Sequence, residues 1–130
     1  MGRLDRAIAD YTEAIGRDPN NALAYCARAT AYNGLSQYDH SIPDASEAIR
    51  LAPEQYLGYD ARGYGYWHRG NALGQKADYE QAIADFTEAI RLKPTAWDCY
   101  LGRAQVYRAL GEPGQAAAEI AAVREGLIGG

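Results

Sequence analysis

The sequence has few of the features that mark secreted, membrane or nucleic-acid-binding proteins. Its two cysteines among 130 residues are too few for a disulfide framework, so a reducing, cytoplasmic setting is expected. No apolar run approaches the ~18 residues that span a bilayer, and the N-terminus resembles no secretory leader. Seventeen acidic residues against thirteen Lys and Arg give a net charge of −4 and no basic stripe. We therefore expect no membrane and no nucleic-acid partner.

Motifs of catalysis, metal binding and cofactor binding are also missing. The soft metal ligands are Cys26, His40, His68 and Cys99, and no two of them have ligand-type spacing. No nucleophile elbow, zinc-protease helix, phosphate loop or dinucleotide fingerprint occurs. The glycine-rich stretch 63–70 belongs to a predicted helix and follows no strand, so it is poor evidence for phosphate binding. We expect no enzyme activity, no metal and no cofactor.

Phenylalanine is also scarce. The chain has one phenylalanine and eleven tyrosines. Tyrosine combines an apolar ring with a hydroxyl that stays hydrated, so it suits half-buried positions between elements. A domain with one large closed core would be expected to use more phenylalanine. Thin layers of helices, each close to solvent, can use tyrosine throughout. The hydrophobic content of 48% and charged content of 23% are ordinary for a globular domain, so disorder is not expected.

The sequence does contain an internal repeat. One block occurs as AIADYTEAIGRDP from Ala7, SIPDASEAIRLAP from Ser41, AIADFTEAIRLKP from Ala82 and, in degenerate form, AAAEIAAVREGLI from Ala116. The steps between these copies are 34, 41 and 34 residues. A second block recurs in phase, as YCARATAY from Tyr25, YDARGYGY from Tyr59 and YLGRAQVY from Tyr100. A fixed period of this length predicts a repeat architecture.

Each unit is predicted to consist of two helices. Apolar residues such as Ala7, Ile8, Tyr11 and Ile15 follow the spacing of one helical face. A proline closes three of the four copies of this block, where it cannot continue a helix. Glycine-containing turns separate the two helices of a unit. The expected helices are approximately 3–17, 22–34, 39–51, 56–73, 78–92, 96–110 and 113–127.

These blocks resemble the tetratricopeptide repeat family, whose unit is a helix–turn–helix of 34 residues. The family's first helix begins with a large aromatic and later carries a small residue and a tyrosine. Here these are Tyr25, Ala29 and Tyr32, Tyr59, Gly63 and Tyr66, and Tyr100, Ala104 and Tyr107. The second helix carries alanine, an aromatic, alanine and a closing proline. Here these are Ala7, Tyr11, Ala14 and Pro19, and Ala82, Phe86, Ala89 and Pro94.

The resemblance covers nearly the whole chain and implies an all-α solenoid of antiparallel helix pairs, with seven main helices in about three and a half repeats. A single domain over 1–130 is expected. Its parts are a half repeat with only a second helix at 1–21, repeats at 22–55 and 56–96, and a degenerate repeat at 97–130. A seven-residue insertion near 71–77 is expected to add one turn of helix and to lengthen the turn around Gly74.

Pro43 conflicts with the helical pattern of the second copy. A proline in a helix interior removes a backbone hydrogen bond and clashes with the preceding turn. We therefore expect this helix to begin late, with Ser41 as its N-cap and Pro43 in its first turn.

Arginines and acids recur at equivalent positions. The arginines are Arg28, Arg62 and Arg103 on first helices, and the acids are Asp10, Asp44, Asp85 and Glu119 on second helices. The arginines could form a ladder that binds a ligand, or each could bridge to the acid of the preceding unit. The planar guanidinium fork and the match of three arginines to three preceding acids favour the structural reading. The expected pairs are Arg28–Asp10, Arg62–Asp44 and Arg103–Asp85.

The resemblance also implies that a ligand binds in the concave groove, mainly on the first helix of each unit. The groove residues implied by family position are Cys26, Thr30, Asn33, Asp60, Tyr64, Trp67, His68, Leu101, Gln105 and Arg108. Tyr64, Trp67 and His68 cluster at helical spacing and have the mixed character of interface anchors. Alternatively, Trp67 packs against the inserted segment.

One ligand class of the family is not expected. The family's clamp for acidic chaperone C-termini needs lysine, asparagine and arginine at set groove positions. Those positions hold Leu23, Ala27, Leu57, Ala61, Asp98 and Gly102 here.

The sequence therefore predicts a non-catalytic protein–protein interaction module that binds a peptide or helix of an unidentified partner in its groove. The alternative is an assembly module that self-associates through uncapped ends. The apolar residues expected at the two ends are Ile8, Tyr11, Ile15, Ala117, Ile120, Ala121 and Val123. Large exposed apolar patches usually mark interfaces, so a homodimer or a place in a larger repeat array is expected.

Overall fold

The computed structural model describes residues 2–129, with side chains described for residues 2–126. These residues form seven α-helices and no strand, which confirms the expected all-α solenoid. The helices are α1 Arg3–Arg17, α2 Ala22–Gly34, α3 Tyr38–Leu51, α4 Tyr56–Leu73, α5 Lys76–Leu92, α6 Trp97–Ala109 and α7 Pro113–Gly129. Within the described range, no helix has both the length and the apolarity needed to cross a membrane.

The helices form an inner and an outer layer. Each helix packs against the next one in the chain, and α2, α4 and α6 also contact one another in succession. Within residues 2–129, no comparable contact joins α1, α3, α5 and α7, the second helices of the units. The inner helices are therefore more closely spaced than the outer ones. The stack curves with α2, α4 and α6 on its concave side.

The only phenylalanine occupies the centre of the stack. Phe86 of α5 is fully buried, and a Cβ atom added to Gly63 of α4 or Gly102 of α6 would lie 2.9 Å from its ring. Tyr64 meets the same ring edge-on, with the ring centroids 5.3 Å apart. The two glycines therefore form a socket for Phe86, and half-buried tyrosines surround it.

The inserted residues lengthen the two helices of one unit, not the turn between them. The first helix, α4, has 18 residues against 13 in α2, and α5 has 17 against 14 in α3. The turn at 74–75 is shorter than the equivalent turn at 35–37. The predicted lengthening of this turn is wrong, because Gly74 adopts a left-handed conformation at φ 65° and reverses the chain at once.

Polar contacts stabilise the extended α4–α5 hairpin. Arg69 donates two hydrogen bonds to the carboxylate of Asp78, each 3.0 Å long. The Tyr79 hydroxyl donates to Oδ1 of Asn71 at 2.6 Å. A Cβ atom at Gly70 would lie 3.0 Å from the Tyr79 ring, so this glycine lets the two helices approach closely. These contacts hold α4 and α5 together over their added length.

Helix α3 begins earlier than the sequence indicates. It starts at Tyr38, with Gln37 as the N-cap residue, so the predicted start at Ser41 is wrong and Pro43 lies inside the helix. Ser41 is fully buried, and its hydroxyl donates to the Tyr38 carbonyl at 3.2 Å. A proline inside a helix costs ~3 kcal/mol, because it removes a backbone hydrogen bond and its ring clashes with the preceding turn. Burial of one face of α3, including Ile42, between α2 and α4 offsets this cost.

Most of the apolar residues at the two ends of the stack are less exposed than predicted. Val123 of α7 is only 8% exposed, so the expectation that it lacks cover is wrong, because α7 packs against α6. Ile120 is half-buried, whereas Ala117 and Ala121 are exposed. At the other end, Ile8, Tyr11 and Ile15 are half-buried where α1 packs against α2. No described residue of α1 is fully buried.

Candidate protein-binding groove

The inner helices place most of the predicted groove residues in two hollows. A hollow of about 300 Å³ between α2 and α4 is lined by Thr30, Asn33, Gly34, Asp60, Ala61, Tyr64 and His68. Another of about 290 Å³ between α4 and α6 is lined by Trp67, Asn71, Gln105, Arg108 and Ala109. Leu101 of α6 is 45% exposed. Cys26 is buried and lines a smaller hollow with Leu23, outside these two.

Helical spacing explains why α4 dominates this surface. Asp60, Tyr64 and His68 are separated by four residues each, so they lie on one face of the helix. Asn33 of α2 donates from its side-chain amide to the carbonyl of Ala61 at 3.0 Å. This hydrogen bond ties the two inner helices together beside the hollow.

Aromatic rings stack along the same face of α4. The centroid distances are 4.3 Å for Trp67 and His68, 5.6 Å for Tyr64 and Trp67, and 6.1 Å for Tyr64 and His68. Burial lowers the pKa of His68. Trp67 also packs against the buried core around Phe86. It therefore contacts both the core and the groove.

Asp60 is placed in an electronegative part of the groove. The carboxylates of Asp60 and Asp98 and the thiol of Cys99 lie within 4.8 Å of one another. The Cys99 thiol donates to Oδ1 of Asp60 at 3.2 Å. Burial, followed by repulsion from Asp98, raises the pKa of Asp60 to about 7. Burial and the same carboxylates raise the pKa of Tyr64 to about 12 and hold the pKa of the Cys99 thiol well above its usual range.

Local sequence patterns do not reveal this cluster, because Asp60 and Cys99 are 39 residues apart. The signal that could have found it is the superposition of successive repeats, which places Asp60 of α4 opposite the start of α6. The cluster does not suit zinc, which needs deprotonated thiolates and usually four ligands. Burial keeps the Cys99 thiol protonated, and only two carboxylates remain.

The recurrent arginines pair with the acid of their own unit, so the predicted pairing is one unit too early. Arg28 donates two hydrogen bonds of 2.7 Å to Asp44. Arg62 donates to Asp85 at 2.8 and 2.9 Å. These acids lie on the helix that follows each arginine and packs against it.

The third arginine follows the same rule, and the preceding unit supplies a hydroxyl in place of an acid. Arg103 donates to Glu119 at 2.8 Å. The hydroxyl contacts are Arg28 to Thr12, Arg62 to Ser46 and Arg103 to Thr87, at 3.1, 3.2 and 2.9 Å. Each hydroxyl lies two residues after the acid that the repeat pattern predicted as the partner, on a different side of the helix. Asp10 is exposed and forms no ion pair within the described part of the chain.

Comparison with known proteins identifies the repeat. The sequence model of the tetratricopeptide repeat matches residues 1–56 and 69–126. The chain belongs to the tetratricopeptide repeat family. Among its relatives, small glutamine-rich tetratricopeptide repeat-containing protein 2 of Saccharomyces cerevisiae is 41% identical over 64 residues, which are 49% of this chain and 18% of that protein. Hsp70-Hsp90 organizing protein 3 of Arabidopsis thaliana is 36% identical over 61 residues, 47% of this chain and 11% of that protein. This tetratricopeptide repeat chain thus spans less than a fifth of either relative.

Solved structures agree with the fold. A thermophilic tetratricopeptide repeat protein of Thermus thermophilus superposes with a TM-score of 0.85 and 23% identity over 94% of this chain and 65% of that one. MamA from Desulfovibrio magneticus RS-1 gives a TM-score of 0.80 and 19% identity, over 94% of this chain and 65% of that one. At these identities the likeness concerns the fold alone. As a tetratricopeptide repeat domain, the chain is a protein–protein interaction module.

Proposed function

We propose that this domain binds a peptide or helix of a partner protein in the groove of α2, α4 and α6, and that it catalyses no reaction. The observation that carries the proposal is the grouping of exposed and half-exposed side chains in two hollows of the concave face. Stacked aromatic rings beside polar groups are typical of interface anchors. The name of the Hsp70-Hsp90 organizing relative also supports a protein partner.

The proposed partner differs from an acidic chaperone terminus. Binding a carboxylate requires cationic donors in the groove. Leu23 and Ala27 of α2 occupy two of the family's clamp positions, and Asp98 of α6 occupies another. Asp60 and Asp98 would repel an acidic peptide.

Selection from a random peptide library, followed by fluorescence anisotropy, tests groove binding. Leu101 and Leu73 form a matched pair, because they are 45% and 60% exposed and only Leu101 is among the groove positions that the family resemblance implies. We expect Leu101→Ala to weaken selected peptides by roughly fivefold or more and Leu73→Ala to leave their affinity unchanged. The proposal would be refuted if no peptide were selected, or if only Leu73→Ala weakened binding.

Self-association through the ends is the second candidate. It is favoured by α1, in which Leu4 is 37% exposed and no described residue is fully buried, and by the exposed Ala117 and Ala121 of α7. Pairing of such faces would give a twofold dimer or a longer array. Light scattering at micromolar concentration tests this. A mass of one chain, 14.2 kDa, would rule it out, whereas a larger mass that Ala121→Glu reduces would support it.

We also propose a reducing, cytoplasmic location. Cys26 and Cys99 are both free thiols and both buried, which is the usual state of cysteines in such a compartment.

A further inference from the structure

Asp60 differs from every other shielded carboxylate among the described side chains. The well-shielded carboxylates with an arginine within 4.0 Å are Asp44, Asp78, Asp85 and Glu119. Asp60 is half-buried as well, and no lysine or arginine of residues 2–126 lies within that distance. Its contact is the Cys99 thiol, a weak donor without charge.

A second carboxylate adds to this charge instead of balancing it. Asp98 is exposed at the start of α6 and lies within 4.8 Å of Asp60. Shielded charges are normally paired, because an isolated one is costly to remove from water. The two carboxylates therefore carry a net negative charge beside an open hollow, even with Asp60 partly protonated at pH 7, and no described lysine or arginine balances this charge.

The aromatic wall of the hollow favours the same kind of group. Tyr64 lies one helical turn after Asp60 and lines the hollow with His68. The faces of aromatic rings attract ammonium and guanidinium groups. Lysine and arginine also have apolar stems that pack on such rings while the charged end reaches an acid.

We propose that this hollow takes a lysine or arginine side chain from the bound segment of the partner, so that the domain recognises a basic peptide. The cationic end pairs with Asp60 and Asp98, and the stem lies against Tyr64. This inference rests on the proposed groove function and adds the chemistry of the partner. The whole chain has a net charge of −4, which also attracts a basic segment.

A metal ion suits the cluster less well than a basic side chain does. Calcium and magnesium take six or more oxygen ligands, whereas the cluster offers only the carboxylates of Asp60 and Asp98 and a protonated thiol. A single ammonium or guanidinium group needs only acceptors, and both carboxylates supply them.

Labelled peptides that alternate glycine with arginine, lysine, glutamine or glutamate test the inference by fluorescence anisotropy. The variants are Asp60→Asn and Asp98→Asn, and the matched control is Asp10→Asn, which makes the same change of charge on the exposed face of α1. Circular dichroism verifies that each variant is folded. A zinc and calcium titration of the wild type, without peptide, is run beside them.

We expect the arginine or lysine peptide to bind roughly tenfold more tightly than the glutamine peptide, and the glutamate peptide to bind most weakly. Each groove variant should lose roughly fivefold in affinity or more, and Asp10→Asn less than about twofold. Equal losses in all three variants would mean unspecific attraction and would overturn the inference. So would a metal that binds wild type but not Asp60→Asn while the basic peptides fail.

The failure of this inference can be separated from failure of the proposed function. One outcome is that the library selects neutral or acidic peptides whose affinity falls with Leu101→Ala. That result would support the groove as a binding site and would refute its preference for basic segments. A library that yields no groove-dependent peptide would refute both.

Discussion

The carboxylates of Asp85 and Asp60 show how strongly a single neighbouring arginine changes a residue's role. Asp85 is 3% exposed and receives two hydrogen bonds from Arg62. Burial raises the pKa of Asp85, and the bonds from Arg62 oppose this effect. Asp60 has no such bonds within the described side chains. One acid therefore joins two helices, and the other is left with its charge facing the groove.

Loss of Arg62 should be far more damaging than loss of a surface arginine. Arg62→Ala leaves Asp85 buried without its partner, and we expect the free energy of unfolding to fall by roughly 3 kcal/mol, the lower end of the range for broken buried pairs. The lower end applies because the guanidinium is partly exposed. Arg91→Ala is the control, since Arg91 pairs with Glu88 at the surface, and it should leave the free energy of unfolding nearly unchanged. Urea denaturation measures both, and equal losses would contradict the expectation.

Asp60 should make the protein less stable as pH rises towards neutrality. Its pKa is raised from 3.8 to about 7 in the folded state, so between these values the folded chain holds a proton that the unfolded chain has lost. The free energy of unfolding therefore decreases through this window and is flat above it. Asp60→Asn cannot ionise, and we expect it to be more stable than wild type at pH 8 by roughly 1–3 kcal/mol.

The difference between Asp60→Asn and wild type should disappear below about pH 3, where Asp60 is mostly protonated in both the folded and the unfolded state. Urea denaturation at several pH values measures this difference, and Asp10→Asn on the exposed face of α1 is the control for the substitution itself. Together with the peptide titration, the variant would be more stable yet weaker in binding, as expected for a functional residue. If the difference in stability between Asp60→Asn and wild type did not change with pH, Asp60 would be well solvated in the folded state.

At the scale of helices, small residues decide how closely the elements pack. Phe86 fits between α4 and α6 because Gly63 and Gly102 offer no Cβ to its ring. Glycine costs helix stability through backbone entropy, so its presence in the middle of two helices has a packing reason. The extended α4–α5 hairpin follows the same principle, with Gly70 beneath Tyr79.

Alanine should have opposite effects at two helical glycines. Gly102→Ala places a Cβ 2.9 Å from a fully buried ring, and the overpacking cost of about 1–3 kcal/mol exceeds the gain in helix propensity of about 0.5–1 kcal/mol. Gly16→Ala in α1 meets nothing within 4 Å, so only the gain remains. Thermal denaturation should therefore show a lower Tm for the first variant and a higher one for the second. A higher Tm for both would mean that Phe86 can move aside.

At the scale of the whole molecule, the helices are buried to different extents along the stack. Helix α5 packs between α4 and α6 and contains Phe86, the largest fully buried side chain among the described residues. Helix α1 packs only against α2 and has no fully buried residue in the described range. In a repeat protein, each unit is stabilised mainly by its neighbours, so local opening should be easiest at α1.

Hydrogen exchange with mass spectrometry should therefore show fast exchange in α1 and the slowest exchange in α5. Exchange in α1 should occur through local opening, and exchange in α5 through unfolding of the stack. Gly16→Ala provides a control, because it should slow exchange in α1 and leave α5 unchanged. Uniform protection from α1 to α5 would indicate a single cooperative unit.

The sequence by itself determined the seven helices, most of their bounds and the family. These follow from local signals, namely apolar period, closing prolines, turn glycines and the in-phase blocks. It also indicated most of the side chains that line the two hollows, because positions on first helices repeat with the unit.

Only the tertiary structure decided which side chains meet across helices. The pairing of Arg62 with Asp85, the continuation of α3 through Pro43, and the approach of Asp60 to Asp98 all depend on how faces of different helices are rotated against each other. A local pattern tells which residues share a face, but not which face lies opposite. Burial of a whole face can also outweigh the local cost of one proline, because packing sums over many contacts while the lost hydrogen bond is single.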